Sequence, residues 1–107
     1  MTVGVLGLLV AAAVLEIGGD AAIRKGLVDA TRHWLVIGAA ILVAYGLVVN
    51  LNRQIEFGRL IGIYIAVLFV VTQVVAFAVF GERPGPALLL GGALIVAGGV
   101  VIQLGGG

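Results

Sequence analysis

The chain has 107 residues, of which 63% are hydrophobic and 10% are charged, and its formal net charge is +1. Its mean hydropathy of +1.32 lies far above that of soluble domains and indicates an integral membrane protein. With no cysteine and one histidine, we expect no disulfide, no metal site and no cofactor, and the small net charge offers no surface for nucleic acid.

Four apolar segments take up most of the chain, at 3–22, 34–51, 60–80 and 87–104. Each is close to the ~20 residues that an α-helix needs to cross ~30 Å of hydrocarbon. The connections are too short for a soluble domain, and the first segment lacks the basic start of a signal peptide, so we expect it to be retained. The sequence therefore predicts an all-α fold, a single four-helix transmembrane domain over residues 1–107, in a cell membrane.

The first segment carries a carboxylate, Glu16, in otherwise apolar surroundings. Burying a charge in hydrocarbon costs at least ~2.5–3.5 kcal/mol, and no Lys or Arg lies within any predicted span to offset it. Ala12, Ala13 and Gly19 share its helix face and leave space beside it. Such a carboxylate can hold a proton or a cation but not both comfortably, which suits exchange of protons against a cationic substrate. The alternative is a protonated glutamate that makes a hydrogen bond between helices.

Three further polar residues are predicted to join Glu16 in binding protons and substrate. Asp20 lies one turn along the same face, but it also precedes Arg24 by four residues, a spacing typical of a solvated ion pair. Tyr45 and Tyr64 lie in the second and third segments, where an aromatic face can hold an organic cation and a hydroxyl can bond to a carboxylate. Both tyrosines could equally serve as packing residues or interfacial anchors.

The connections carry a weak charge bias, and the spans are few, so the chain is expected to work as an oligomer. The first and third connections hold four basic residues and the second holds two, a bias that a protein inserting in both orientations would also have. Four helices are too few to enclose a pathway for a solute. The fourth segment offers a candidate interface between subunits in its small residues Gly91, Gly92, Ala93, Ala97, Gly98 and Gly99. The alternative is that glycine is simply tolerated in membrane helices, since the whole sequence is rich in it.

These features together resemble the small multidrug resistance superfamily of four-helix transporters, in four local motifs that cover the chain nearly end to end. They match an E-x-x-G motif in helix one after a small residue, a tryptophan that begins helix two, an aromatic-G-E-basic end of helix three, and a G-x-x-L-I-x-x-G motif in helix four. The matching residues are Ala12, Glu16 and Gly19, then Trp34, then Phe80 to Arg83, and finally Gly91, Leu94, Ile95 and Gly98.

The resemblance implies an antiparallel, dual-topology homodimer that dimerises through the helix-four motif. In such a dimer the two copies of Glu16 face each other and bind protons or a cationic substrate by alternating access. Gly58-Arg59 followed by Tyr64, and the 18-residue interval from Glu16 to Trp34, are more similar to the YnfA-like branch.

Helix three departs from the usual pattern of the drug exporters in this superfamily. Glu56 stands at a position usually held by proline and Tyr64 at one held by tryptophan. Ala66 and Leu68 replace glycines that let this helix bend, so we expect a stiffer third helix.

The function expected from these residues is a transporter and not an enzyme. We predict a proton-coupled antiporter that exports small organic cations, such as quaternary ammonium compounds, lipophilic drugs or guanidinium-like compounds. Its partners would be a second copy of the chain, the lipid bilayer, protons and the cation. A non-transporting or hetero-oligomeric subunit of the same superfamily is the alternative, and a small passive channel is a third, although helix three carries no filter rich in Ser and Thr.

Overall fold

A computed structural model describes residues 2–105, which form four α-helices joined by short turns. All four helices are long and apolar enough to cross a membrane, so the predicted all-α membrane fold is confirmed. Their bounds are α1 Val3–Val28, α2 Arg32–Val49, α3 Phe57–Phe80 and α4 Pro86–Gly105.

Helix α1 is longer than its apolar segment predicted, and ends at Val28 instead of near Ala22. The extension packs against α2, since Gly26 is buried against Leu35. The exposed Lys25 ammonium lies 3.4 Å from the Asp29 carboxylate one turn later, an ion pair that adds a small contribution to the helix. The Asp29 amide also donates to the Lys25 carbonyl at 2.9 Å and caps the helix end. Most of the predicted first connection is therefore helix, because apolar content marks the edge of the bilayer and not the end of the helix.

The four helices form a thin layer in which α1 lies between α2 and α3, and α4 packs against α3. The molecule measures 46 × 36 × 20 Å, and its smallest dimension leaves room for no more than about two helices across. Much of the helical surface therefore faces outwards, and large apolar side chains such as Val36, Val43 and Leu94 are more than half exposed.

Glycines allow the helices of this layer to approach each other closely. A Cβ at Gly38 of α2 would lie 2.9 Å from the Gly19 carbonyl oxygen of α1. In the same way, Gly92 of α4 packs against the ring of Phe69, and Gly99 packs against Ala66. The assignment of Gly92 and Gly99 to contacts between copies was therefore wrong, because both are buried against α3 within the chain.

The predicted aromatic-G-E-basic motif forms the end of α3. Gly81 follows the last helical residue with a φ of +66°, in the left-handed region that glycine adopts without steric cost. The Gly81 amide donates to the Phe77 carbonyl at 3.1 Å, and the Glu82 amide donates to the Ala76 carbonyl at 3.0 Å. The bond from Gly81 to Phe77 is that of the αL capping motif, in which the residue after the helix is left-handed, and this explains why the motif needs glycine at its second position.

Candidate functional site

Glu16 lies in the middle of α1, on the side that faces α3. Its carboxylate oxygen Oε2 accepts a hydrogen bond from the hydroxyl of Tyr64 at 3.0 Å. Tyr64 is 2% exposed, whereas Glu16 is half-buried. Of the roles open to Tyr64 in the sequence, the structure supports two, a hydroxyl bound to a carboxylate and a packing residue, since Tyr64 also belongs to the buried apolar core.

A second tyrosine extends this pair towards α2. The ring of Tyr45 lies 5.7 Å from the ring of Tyr64, with 31° between their planes, within the range of favourable aromatic contacts. Glu16, Tyr64 and Tyr45 therefore meet from three different helices. The cluster presents a carboxylate beside two π-faces, a combination that suits an organic cation.

The small residues around Glu16 let the neighbouring helices come close at this level. Ala12 and Ala13 are completely buried in the apolar core. Gly19 is buried against α2, where a Cβ would come within 2.8 Å of Leu42 Cγ. Their predicted role in lining a cation site stays a prediction, and the structure adds a packing role.

Asp20 is exposed, one turn beyond Glu16 on α1. Within residues 2–105 the structure contains one salt bridge, between Lys25 and Asp29. Asp20 and Arg24 therefore do not form the ion pair that their spacing allowed. Asp20 has no hydrogen-bond partner among the described side chains either. The other interpretation, that Asp20 is a second acid on the Glu16 face, stays a prediction.

Gly38 belongs to the surroundings of the site, although the sequence analysis did not single it out. It lies opposite Gly19, and about two turns further along the contact seam between α1 and α2, Gly26 packs against Leu35. The signal for this seam was present in α1, because Gly19 and Gly26 are seven residues apart and therefore lie on one helix face. Their partner on α2 could not be identified from spacing alone.

The predicted dimerisation motif of α4 faces outwards. A Cβ added at Gly91 or Gly98 would meet nothing within 4 Å, and Leu94 is 68% exposed. Ile95 is also exposed. These four residues, which we call the α4 outer face, are not used for packing within the described part of the chain.

The Glu16–Tyr64 bond is expected to contribute to the stability of the fold. Replacing Tyr64 with phenylalanine should lower the free energy of unfolding by about 1.5 kcal/mol, because a hydrogen bond to a carboxylate is lost inside the layer. The measurement is reversible unfolding in mixed detergent micelles. In a Glu16→Ala background, Tyr64→Phe should lower the free energy of unfolding clearly less. An equal decrease in the two backgrounds would show that the hydrogen bond does not contribute to stability.

Comparison with known proteins identifies relatives along nearly the whole chain. A UPF0060 membrane protein of Frankia casuarinae is 35% identical over 97 residues, which cover 90% of this chain and 88% of the relative. A UPF0060 membrane protein of Streptomyces avermitilis is 36% identical over 98 residues, covering 90% and 87%. A protein named multidrug transporter from Pseudomonas aeruginosa is 40% identical over 70 residues, covering 65% and 63%. No family model and no solved structure gives a significant match.

The relatives and the four apolar helices agree on where the protein resides. The relatives are bacterial and are named membrane proteins, and each helix of this chain is able to span a bilayer, so this is a multi-pass protein of a bacterial membrane. Identity of 35–36% over nine-tenths of the chain confirms the resemblance derived from its motifs. The chain belongs to the family of UPF0060 membrane proteins, the YnfA-like branch of the small multidrug resistance proteins.

Proposed function

We propose that this protein is a proton-coupled antiporter that exports small organic cations, with Glu16 as the group shared by proton and substrate. The observation that carries the proposal is the cluster of Glu16, Tyr64 and Tyr45 between three membrane helices. A relative named multidrug transporter supports a transport role over an enzymatic one.

The contacts of Glu16 explain how one group could serve both ligands. Its carboxylate accepts one hydrogen bond from Tyr64 and forms no salt bridge within residues 2–105. A carboxylate oxygen has several lone pairs, so acceptor sites remain after this bond. A proton would neutralise the group and remove its attraction for a cation, and a bound cation would oppose protonation. Competition of this kind couples the two movements.

The thinness of the chain supports an arrangement of two copies. A layer 20 Å thick does not surround Glu16, which is half-buried and therefore retains an open side. A second copy laid against this side would complete the walls of a cavity. In the antiparallel homodimer that we propose, the two Glu16 carboxylates face each other, and the α4 outer face joins the copies.

Proton release tests the shared site directly. Purified protein in detergent, weakly buffered near neutral pH with a pH indicator, should release protons when tetraphenylphosphonium or guanidinium is added. The Glu16→Gln variant should release none, because its amide cannot hold the exchanged proton. Asp20→Asn tests whether the second acid on this face takes part. Glu82→Gln, at an exposed position beyond the end of α3, is the matched control and should still release protons.

Each of the other outcomes would contradict a definite part of the proposal. Release that persists in Glu16→Gln and vanishes in Asp20→Asn would move the site to Asp20. No release with any cation, from protein that is folded and dimeric, would overturn the antiporter and favour a subunit that needs another chain.

The α4 outer face provides a separate prediction about association. Gly98→Leu should convert dimers into monomers, because leucine keeps two helix backbones from close approach. It should leave the chain folded, since a Cβ added at Gly98 would meet no neighbouring group within 4 Å. Energy transfer between labelled copies in liposomes measures association. The adjacent change Gly99→Leu is the contrast, because it collides with Ala66 and should unfold the chain itself. Unchanged energy transfer in Gly98→Leu would place the interface elsewhere.

A further inference from the structure

An apolar groove of about 350 Å³ runs between α1, α3 and α4. Its side chains are hydrophobic except for Gln103, and several of them are 39–49% exposed, so the groove lies at the surface of the layer. Prominent among them are Leu6, Val10, Val67, Val70, Val100 and Leu104. In a membrane protein, a surface groove of this composition faces the hydrocarbon of the bilayer.

A positive charge lies at one end of this groove. The Arg59 guanidinium nitrogen Nη2 donates to the carbonyl oxygen of Gln103 at 3.2 Å and lies 3.5 Å from its side-chain oxygen. The Nε atom of Arg59 is buried and has no hydrogen-bond partner within residues 2–105, and Arg59 forms no salt bridge there. Because Arg59 is in the first turn of α3, it stands at the level where that helix enters the membrane.

The groove is separate from both surfaces assigned above. Gln103 follows Leu94 of the α4 outer face by nine positions, which at about 100° per residue places it on the opposite side of α4. On α1, Val10 precedes Glu16 by six positions and so lies about 120° away around the helix. A dimer formed through the α4 outer face would therefore leave the groove open to lipid.

We propose that this groove is a phospholipid site, with one acyl chain between α1, α3 and α4 and the lipid phosphate on Arg59. The length fits, because α4 rises ~12 Å from Val96 to Leu104, and one leaflet of hydrocarbon is ~15 Å thick. The charge fits as well, since Arg59 forms no salt bridge within residues 2–105 and guanidinium groups bind phosphate through paired hydrogen bonds. A lipid with net negative charge binds better than a zwitterionic one, because no carboxylate within residues 2–105 neutralises Arg59.

The experiment is native mass spectrometry of the full chain, released from detergent with increasing amounts of dioleoylphosphatidylglycerol. Arg59→Gln should weaken binding about fivefold, the usual contribution of one basic residue at an anionic membrane surface. Arg53→Gln is the matched control, because Arg53 is an exposed arginine at the same end of the molecule that does not line the groove.

A second pair of variants tests the acyl chain. Val100→Trp fills the groove and should reduce binding, whereas Val43→Trp, at an exposed position of α2 outside the groove, should not. Dioleoylphosphatidylcholine should bind to the unaltered chain more weakly than dioleoylphosphatidylglycerol does. The two lipids should bind equally well to the Arg59→Gln variant. Equal losses in Arg59→Gln and Arg53→Gln would overturn the site in favour of general surface charge. Binding unaffected by Val100→Trp would overturn the groove as the place of the acyl chain.

Discussion

Glu16→Gln is expected to abolish proton-driven transport of organic cations. The substitution removes the ionisable group while it keeps the size of the side chain, and the glutamine oxygen can still accept the hydrogen bond from Tyr64 that the carboxylate accepts at 3.0 Å. The variant should therefore fold and dimerise as the unaltered chain does. In proteoliposomes with an imposed pH gradient, uptake of tetraphenylphosphonium should fall to the level of empty liposomes.

Glu16→Asp is the companion variant for this experiment. It retains a carboxylate but shortens the side chain by one methylene group, so the contact with Tyr64 is lost or lengthened. We expect slower transport that still follows the pH gradient. Transport by Glu16→Gln that remains sensitive to the gradient would show that another group carries the proton, whereas equal loss in both variants would show that position matters as much as charge.

Gly38→Val is expected to have the largest effect on stability. The new Cβ would lie 2.9 Å from the Gly19 carbonyl oxygen and 2.9 Å from the Ile23 amide nitrogen, both of which belong to the backbone of α1. Backbone atoms cannot rotate away, so α1 and α2 must separate along the seam that positions Glu16. Overpacking of this kind costs ~3 kcal/mol, measured as the loss in unfolding free energy in mixed micelles.

Gly46→Val provides the matched control on the same helix. A Cβ at Gly46 meets nothing within 4 Å, so the same change should alter stability by no more than ~0.5 kcal/mol. If the two variants proved equally stable, the close approach of α1 and α2 would not exist in the membrane.

The number and type of the helices could be predicted from hydropathy because each span must satisfy its own backbone in lipid. The residues at which the helices end were less predictable. Helix α1 runs past Ala22 to Val28 because Gly26 packs against Leu35 of α2 beyond the point where the hydropathy signal ends. The end of α3 could be recognised more closely, since Gly81 in a left-handed conformation is a local feature.

The candidate site, like the helices, could be predicted from the sequence only in part. Glu16 was recognisable in the sequence because a carboxylate in an apolar helix is costly and therefore conspicuous. Its bond to Tyr64 was one option among several, since it joins residues 48 positions apart and depends on how α1 and α3 align. The role of Arg59 was missed for the same reason, because its partner Gln103 lies 44 positions away.

The sequence by itself determined four membrane helices, an acid in the first of them and the motifs of a transporter family. These properties depend on composition and on spacing within a single helix, both of which can be counted along the chain. Only the tertiary structure decided that Gly92 and Gly99 pack within the chain while Gly91 and Gly98 face outwards. The physical reason is that all four glycines are equally able to admit a close neighbour, and the orientation of α4 against α3 selects which of them do so.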